Sequence, residues 1–340
     1  MTQHVMGAGP LHDGDGRLID PGYATREVRL YDRAAIGADP VRIKEWDYYC
    51  IVDADVALAL TVADNGYAGF LGLSWMDMRA GSFVNHGALI PEPMGMMALP
   101  ASADSGDIVQ ARDGIELAFR HEVGGRRLVV HAPGFADGRG LSAEIRLDQP
   151  PMDRMVIATP FADDPHAFYY NQKINGMSAS GHVKIGSQGY DFNPEHAFAV
   201  LDWGRGVWTY DNVWYWGSAS GVAAGRPFGF NIGYGFGDTS AASENMLFVD
   251  GRAHKLDEVV FHMPEGAPDS APWHFTSNDG RFEMDFVPGV NRWAKVDAGL
   301  VKTEQDQVFG WFSGRVILDD GTILAIRDLP GFAEKVWNRW

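Results

Sequence analysis

Asp-Gly and Asn-Gly dipeptides punctuate this chain, and they restrict its fold more than any other feature. Asp-Gly occurs at Asp113-Gly114, Asp137-Gly138, Asp250-Gly251, Asp279-Gly280 and Asp320-Gly321, with two more near the N-terminus; Asn-Gly occurs at Asn65-Gly66 and Asn175-Gly176. Both dipeptides tolerate positive φ at the two central positions of a type I′ turn, whose twist matches that of paired strands. Most lie between short segments of alternating or β-rich composition, so they mark tight hairpins.

Several hairpins read directly. "GIELAFRHEVGGRRLVVHA" turns at Gly124-Gly125, "MLFVDGRAHKL" at Asp250-Gly251 and "GRVILDDGTILAIRDL" at Asp320-Gly321. "VALALTVADNGYAGFLGLSWMDM" reads as strand, turn, strand. Helical periodicity is scarce. "PGFAEKVWNRW" predicts a short C-terminal helix, with Pro330 near its start and Phe332, Val336 and Trp340 on one side. "YDRAAIGADPVRIKEW" predicts a helical turn. No repeated βαβ unit is present, which argues against a doubly wound nucleotide-binding fold.

The fold class is therefore all-β and antiparallel. So many strands must close into barrels or pack as sandwiches to hide their edges. A chain of 340 residues is comfortable for two domains. The boundary is expected at Pro150-Pro151, giving an N-terminal β-domain over 1–150 and a C-terminal one over 151–340. No low-complexity linker separates the halves, so they should pack tightly.

Charge narrows the partners. Lys plus Arg number 28 against 45 Asp plus Glu, a formal charge of −17. No basic stripe exists to neutralise phosphates, which argues against nucleic acid and against an anionic membrane surface. No apolar segment approaches the roughly 20 residues that span a bilayer. The N-terminal "MTQHVMGAGPLHDGDGRLID" has neither a basic start nor an apolar run, so no signal peptide is read there. With one cysteine, Cys50, no internal disulfide can form, and a buried small apolar role is expected for it. The expectation is a soluble cytoplasmic protein, monomer or homodimer.

The most informative stretch is "LDWGRGVWTYDNVWYWGSASG", Leu201 to Gly221. Read as a strand, Trp208, Tyr210, Asn212, Trp214 and Trp216 share one face. The following "FGFNIGYGFG" puts Phe228, Phe230, Ile232, Tyr234 and Phe236 on one face and Gly229, Asn231, Gly233 and Gly235 on the other. Glycine inside a strand often marks close approach by a ligand or another layer. Two readings stay open: the bare face accommodates neighbouring indoles, or it borders a pocket.

These segments, with "KEWDYYCIVDADVALALTVADNGYAGFLGLSWMDM", "FNIGYGFGDTSAASENMLFVDGRAHKL" and the closing "GRVILDDGTILAIRDLPGFAEKVWNRW", resemble the bacterial family DUF2804, a domain of unknown function, over nearly the whole chain. The family commonly has a basic residue after the tyrosine where this chain has Asp211 and Asn212, so no polar role is carried over there. DUF2804 is distantly similar to two-barrel, lipocalin-like proteins that include carotenoid 1,2-hydratases, related cyclases and fungal Diels–Alderases. The resemblance implies two packed calycin-like β-domains, a ligand site in or between them, and cofactor-independent chemistry on hydrophobic molecules.

No familiar catalytic signature accompanies it. "GYGFG" opens no helix, so it is no dinucleotide fingerprint. "GSASG" has Ala219 where a nucleophile elbow needs serine. The 11 histidines show no zinc spacing, and no metal or cofactor is expected; His254, after a hairpin turn, is the least ordinary of them. What remains is polar residues among aromatic strands. Asp202 and Arg205 suggest a turn-bracing pair, or an oxygen-binding arginine oriented by the aspartate. Tyr210 and Glu244 are candidate proton carriers beside them, Glu244 because burial raises a carboxyl's pKa. Trp208, Trp214, Trp216, Asn231, Tyr170, Asn171 and Asp47 are candidate substrate contacts. Tyr169 and Lys173 share the strand of Tyr170, and Lys44 and Lys173 are candidate amine nucleophiles.

Three functions fit. The first is an acid–base lyase, hydratase or isomerase acting without cofactor on a hydrophobic or aromatic small molecule. The second is a non-catalytic lipocalin-like carrier. The third is a carbohydrate-active β-sandwich, ranked last because no acidic pair emerges from the sequence.

Overall fold

A computed structural model describes residues 3–339. Two large antiparallel sheets contain almost all of the regular structure. The eight strands that build the candidate site are labelled here: β1 Ile43–Val52, β2 Asp164–Ile185, β3 Phe198–Val207, β4 Asp211–Ala223, β5 Arg226–Tyr234, β6 Phe282–Ala298, β7 Val301–Ile317 and β8 Ile323–Arg339.

Among the described residues the first sheet has 13 strands. Its main path runs from Ser82–Pro91 through Ala68–Asp77, Val56–Asp64, β1, β3 and β2 to Leu141–Asp148 and on to Ile108–Arg112. It curls into a nearly closed barrel. The second has nine strands and forms a half-barrel around β5, β4, β8, β7 and β6. The four hairpins read from the sequence all form, as do two 3-10 turns at Arg33–Ala35 and Pro40–Arg42.

Three expectations are corrected. The C-terminal helix is instead the end of β8, paired with β4 and β7. The misreading has a physical origin: Phe332 and Val336 are four apart, a spacing that keeps residues together on a helix and also on a strand. Trp340 lies outside the described residues. Asn175-Gly176 makes no hairpin; β2 runs through it with a register shift between Ile174 and Met177, where Asn175 donates to Ser218 Oγ and to the Phe230 carbonyl. Finally, Pro150-Pro151 links two strands of the first sheet, and the change of sheet comes at 208–210, between β3 and β4.

Alternation then sorts the side chains of β3 and β4 between the two cores. On β3, Ala199, Leu201, Trp203 and Val207 fill the first barrel, whereas Val200 faces the second sheet. On β4, Ala219 joins the core of the half-barrel and Trp216 faces the first sheet. A layer between the sheets contains Tyr48, Cys50, Val200, Trp216, Phe309 and Phe332, so Cys50 is a buried apolar residue. Each large apolar side chain buried there contributes roughly 1.5–3 kcal/mol.

Candidate active site

The layer between the sheets is not filled throughout. It opens into a cavity of about 630 Å³ lined by both sheets. The lining follows the strand registers. Across the first sheet, Tyr48 of β1, Asp202 of β3 and Lys173 of β2 stand in one row; the next row is Trp46, Gly204 and Asn171. Across the second sheet, Gly233, Trp216, Glu334, Gln307 and Arg292 form a row over β5, β4, β8, β7 and β6.

Glycine shapes the walls. A Cβ on Gly204 would collide with the Trp46 indole, and one on Gly206 would come 2.7 Å from Trp208 Nε1. The missing side chains leave room for the Trp46 ring at Gly204 and for the Nε1 edge of Trp208 at Gly206. Phe236 stacks on Tyr169 at 4.4 Å and on Trp214 at 4.6 Å, which closes an aromatic wall with Trp46 and Trp208. On the second sheet, a Cβ on Gly233 would lie 2.9 Å from the Glu244 carboxyl carbon. The bare face of β5 therefore makes room for an acid.

The inner end of the cavity is polar. Lys173 Nζ lies 2.8 Å from Asp202 Oδ1 and 4.0 Å above the Trp216 ring. Asn171 Nδ2 donates to the same Asp202 oxygen at 2.6 Å. Glu244 accepts from Asn231 Nδ2 at 3.2 Å, and Asn231 in turn accepts from Trp216 Nε1 at 2.7 Å. Glu334 accepts from Trp214 Nε1 at 3.0 Å and from Gln307 Nε2 at 2.8 Å; Tyr48 donates to Gln307 Oε1 at 3.1 Å. All of these acids are buried.

Burial disfavours the charged form of a carboxyl. It pushes Glu244 up from its ordinary 4.5, against the opposing pull of Lys173, and pushes Glu334 up against the hydrogen bond from Trp214. It also raises the Tyr169 phenol well above 10, reinforced by Glu244, Asp202 and Glu334. The outer end is apolar and open: Leu89, Val296 and the half-exposed Phe70 border it.

The cavity gathers Asp202, Glu244, Trp208, Trp214, Trp216, Tyr169 and Lys173 from among the sequence-selected residues. Asn171 and Asn231 stand behind the lining and hold Asp202 and Glu244. The others lie elsewhere. Asp202 and Arg205 are three apart on one strand, so they face opposite sides of β3 and form no pair. Arg205 points into the first barrel, bonded to Asp47 Oδ1 at 3.0 Å and the Pro100 carbonyl at 2.7 Å, over the Trp203 ring. Asp47 and Tyr170 also face the barrel interior; the Tyr170 hydroxyl donates to the Arg29 carbonyl. Tyr210 is 49% exposed and donates to the Leu300 carbonyl, because the chain leaves the first sheet at Trp208 and alternation does not carry across the gap. His254 pairs with Asp319 outside the cavity. Among the described residues, no group of three or more His, Cys, Asp or Glu is placed to hold a metal ion.

A family model described as "Domain of unknown function (DUF2804)" matches residues 2–340. The chain belongs to the DUF2804 family. No curated protein sequence matches it. Solved structures do. CghA with Sch210972 is 10% identical with a TM-score of 0.52, covering 98% of this chain and 97% of that one. A protein assigned as AttH from Nitrosomonas europaea is 13% identical with a TM-score of 0.55, covering 90% and 96%. Kievitone hydratase from Nectria haematococca is 9% identical with a TM-score of 0.48, covering 87% and 88%. The CghA and AttH likenesses establish for this DUF2804 protein a two-barrel, lipocalin-like fold.

Sequence reasoning missed Glu334, Gln307, Arg292 and Trp46. Glu334 sat inside the presumed helix. As a strand residue it stands between Phe332 and Val336 on one face, a carboxyl flanked by apolar neighbours, which is the signal of a buried acid.

Proposed function

We propose that this protein is a cofactor-independent acid–base enzyme, of lyase, hydratase or isomerase type, acting on a hydrophobic or aromatic small molecule. One observation carries the reading. The buried Lys173–Asp202 ion pair and two carboxyls raised by burial converge at the closed end of an apolar, indole-walled cavity. Small-molecule sites have this composition, mostly apolar with a few placed polar groups.

The chemistry divides among the groups. Glu244 and Glu334, which burial keeps protonated above the ordinary carboxyl range, donate a proton to a double bond or a leaving oxygen. Asp202, gripped by Lys173 and Asn171, is the acceptor. The Lys173 ammonium stabilises negative charge that develops on a substrate oxygen. The aromatic wall excludes water and fixes the substrate against these groups. The two-barrel fold shared with CghA, whose structure holds Sch210972, supports a small-molecule site in this architecture.

Incubation with aromatic and terpenoid metabolites in deuterium oxide, read by mass spectrometry, tests the reading. The expected result is a product or recovered substrate carrying carbon-bound deuterium, lost in Glu244→Gln and Glu334→Gln variants of unchanged near-ultraviolet circular dichroism. Tryptophan quenching by a ligand that is always recovered chemically unaltered would instead make the protein a carrier.

A further inference from the structure

The charge and the aromatic surface of the cavity together point to a narrower ligand class. Five ionisable side chains of unlike sign line it: Asp202, Glu244 and Glu334 against Lys173 and Arg292. The two cations are already engaged. Lys173 is held by Asp202 and lies on Trp216, and Arg292 donates to Ser74 Oγ at 3.0 Å. Behind Glu244, Lys255 donates to Ser243 Oγ, the Asn245 carbonyl and the Leu256 carbonyl at 2.7–2.8 Å. Acids therefore outnumber cations on the lining, and the imbalance falls on Glu244 and Glu334.

The walls beside these two acids are π faces. Trp46, Tyr169, Trp208, Trp214 and Phe236 form one contiguous cluster. Trp214 also donates its indole N–H to Glu334, which draws electron density towards its ring face. Carboxylates joined to aromatic faces in a water-poor space attract a ligand cation by ion pairing and by the ring quadrupole. The formal charge of −17 adds long-range attraction for a cation.

We infer that the preferred ligand is an apolar molecule bearing a positively charged nitrogen, an alkyl- or arylammonium, seated on the indole wall with its charge towards Glu244 and Glu334. The inference rests on the proposed cavity and narrows its substrate class. Binding such a cation favours the ionised form of one of the two carboxyls, so a proton leaves as it enters and the other carboxyl remains the proton donor. Affinity therefore rises as pH rises through the elevated range of the two acids. Tyr48, Tyr67 and Tyr169 on the lining stay neutral there, raised by burial, whereas Lys255 behind Glu244 is lowered by burial to about 7 and loses its charge across the same range. A neutral molecule of the same shape gains none of this.

The test uses benzyltrimethylammonium, its neutral carbon isostere neopentylbenzene, and phenylacetate, each titrated against the full chain by tryptophan fluorescence at pH 5 and pH 8. The expected result is binding of the cation about tenfold or more tighter than the isostere at pH 8. That advantage should shrink at pH 5 and in Glu244→Gln and Glu334→Gln, with proton release seen by calorimetry in buffers of different ionisation heat. Equal or tighter binding of the isostere would overturn the inference and leave the apolar-pocket reading standing. Tightest binding by phenylacetate would overturn it too. Binding of none of the three would overturn both.

Discussion

Lys173 and Asp202 face each other across adjacent strands, with Nζ 2.8 Å from Oδ1 at the closed end of the cavity. Both side chains are buried, so each compensates the other's desolvation. Removing one partner of such a pair strands the other charge, at a cost of about 3 to 5 kcal/mol. Lys173→Ala and Asp202→Ala should each lose stability of that order, and the double variant should lose much less than their sum. Urea denaturation of the four proteins checks this; additive losses would show that the pair is not coupled.

Glu244 and Glu334 give stability a pH signature. Their folded-state values are raised above the ordinary 4.5, mainly by burial. The folded protein therefore binds more protons than the unfolded chain between the ordinary and the raised values. Their contribution to stability is present below that window and is lost as pH climbs through it. Glu244→Gln and Glu334→Gln, which stay neutral, should gain on the parent protein steadily as pH rises above 4.5. Denaturant midpoints at a series of pH values measure the difference; a constant offset would mean that neither acid is perturbed.

Gly204 fixes the Trp46 wall. Because a Cβ there would collide with the indole, Gly204→Ala should drive the ring off β3 and into the cavity. The expected outcome is ligand affinity reduced about tenfold or more, a loss comparable to losing a substantial share of one aromatic contact, together with a shifted tryptophan emission spectrum. Unchanged affinity and emission would show that the wall is not set by this glycine.

Arg205 and Tyr210 separate structure from chemistry. Arg205→Met leaves Asp47 buried without its partner and should cost about 3 to 5 kcal/mol. Tyr210→Phe removes only a bond from a half-exposed hydroxyl to the Leu300 carbonyl, and should change turnover and ligand affinity by less than about twofold. Thermal melts and ligand titrations of both variants test the contrast. A large functional loss in Tyr210→Phe with an intact fold would place the tyrosine in the site.

Why some of this was legible in the sequence, and some not, follows from the strand geometry. Turn dipeptides locate hairpins because a glycine at positive φ reverses the chain locally: Gly66, Gly124, Gly251 and Gly321 each have positive φ at the turn of one of the four hairpins. Period two also separates Gly233 and Asn231 from Phe230, which marks the bare face over which Glu244 folds. Local signals say nothing about which strands meet across the chain. Trp46 lies opposite Gly204 and Lys173 opposite Asp202 through long-range pairing, so neither partnership can be read from spacing. Carrying one alternation across 208–210 placed Tyr210 on a wall from which it is absent, since the chain changes sheets there. Glu334 was hidden because a four-residue apolar spacing satisfies helix and strand alike.

The central claim is that carboxyls at the cavity's closed end stay protonated above the ordinary carboxyl range and so can act as proton donors. Difference infrared spectroscopy tests it most directly, comparing the parent protein with Glu244→Gln and Glu334→Gln at a series of pH values rising from 4.5. The expected result is a carbonyl-stretch band of a neutral carboxylic acid in the parent, diminished in each variant and bleached by base. A spectrum with no such band, or one that neither substitution alters, would contradict the claim.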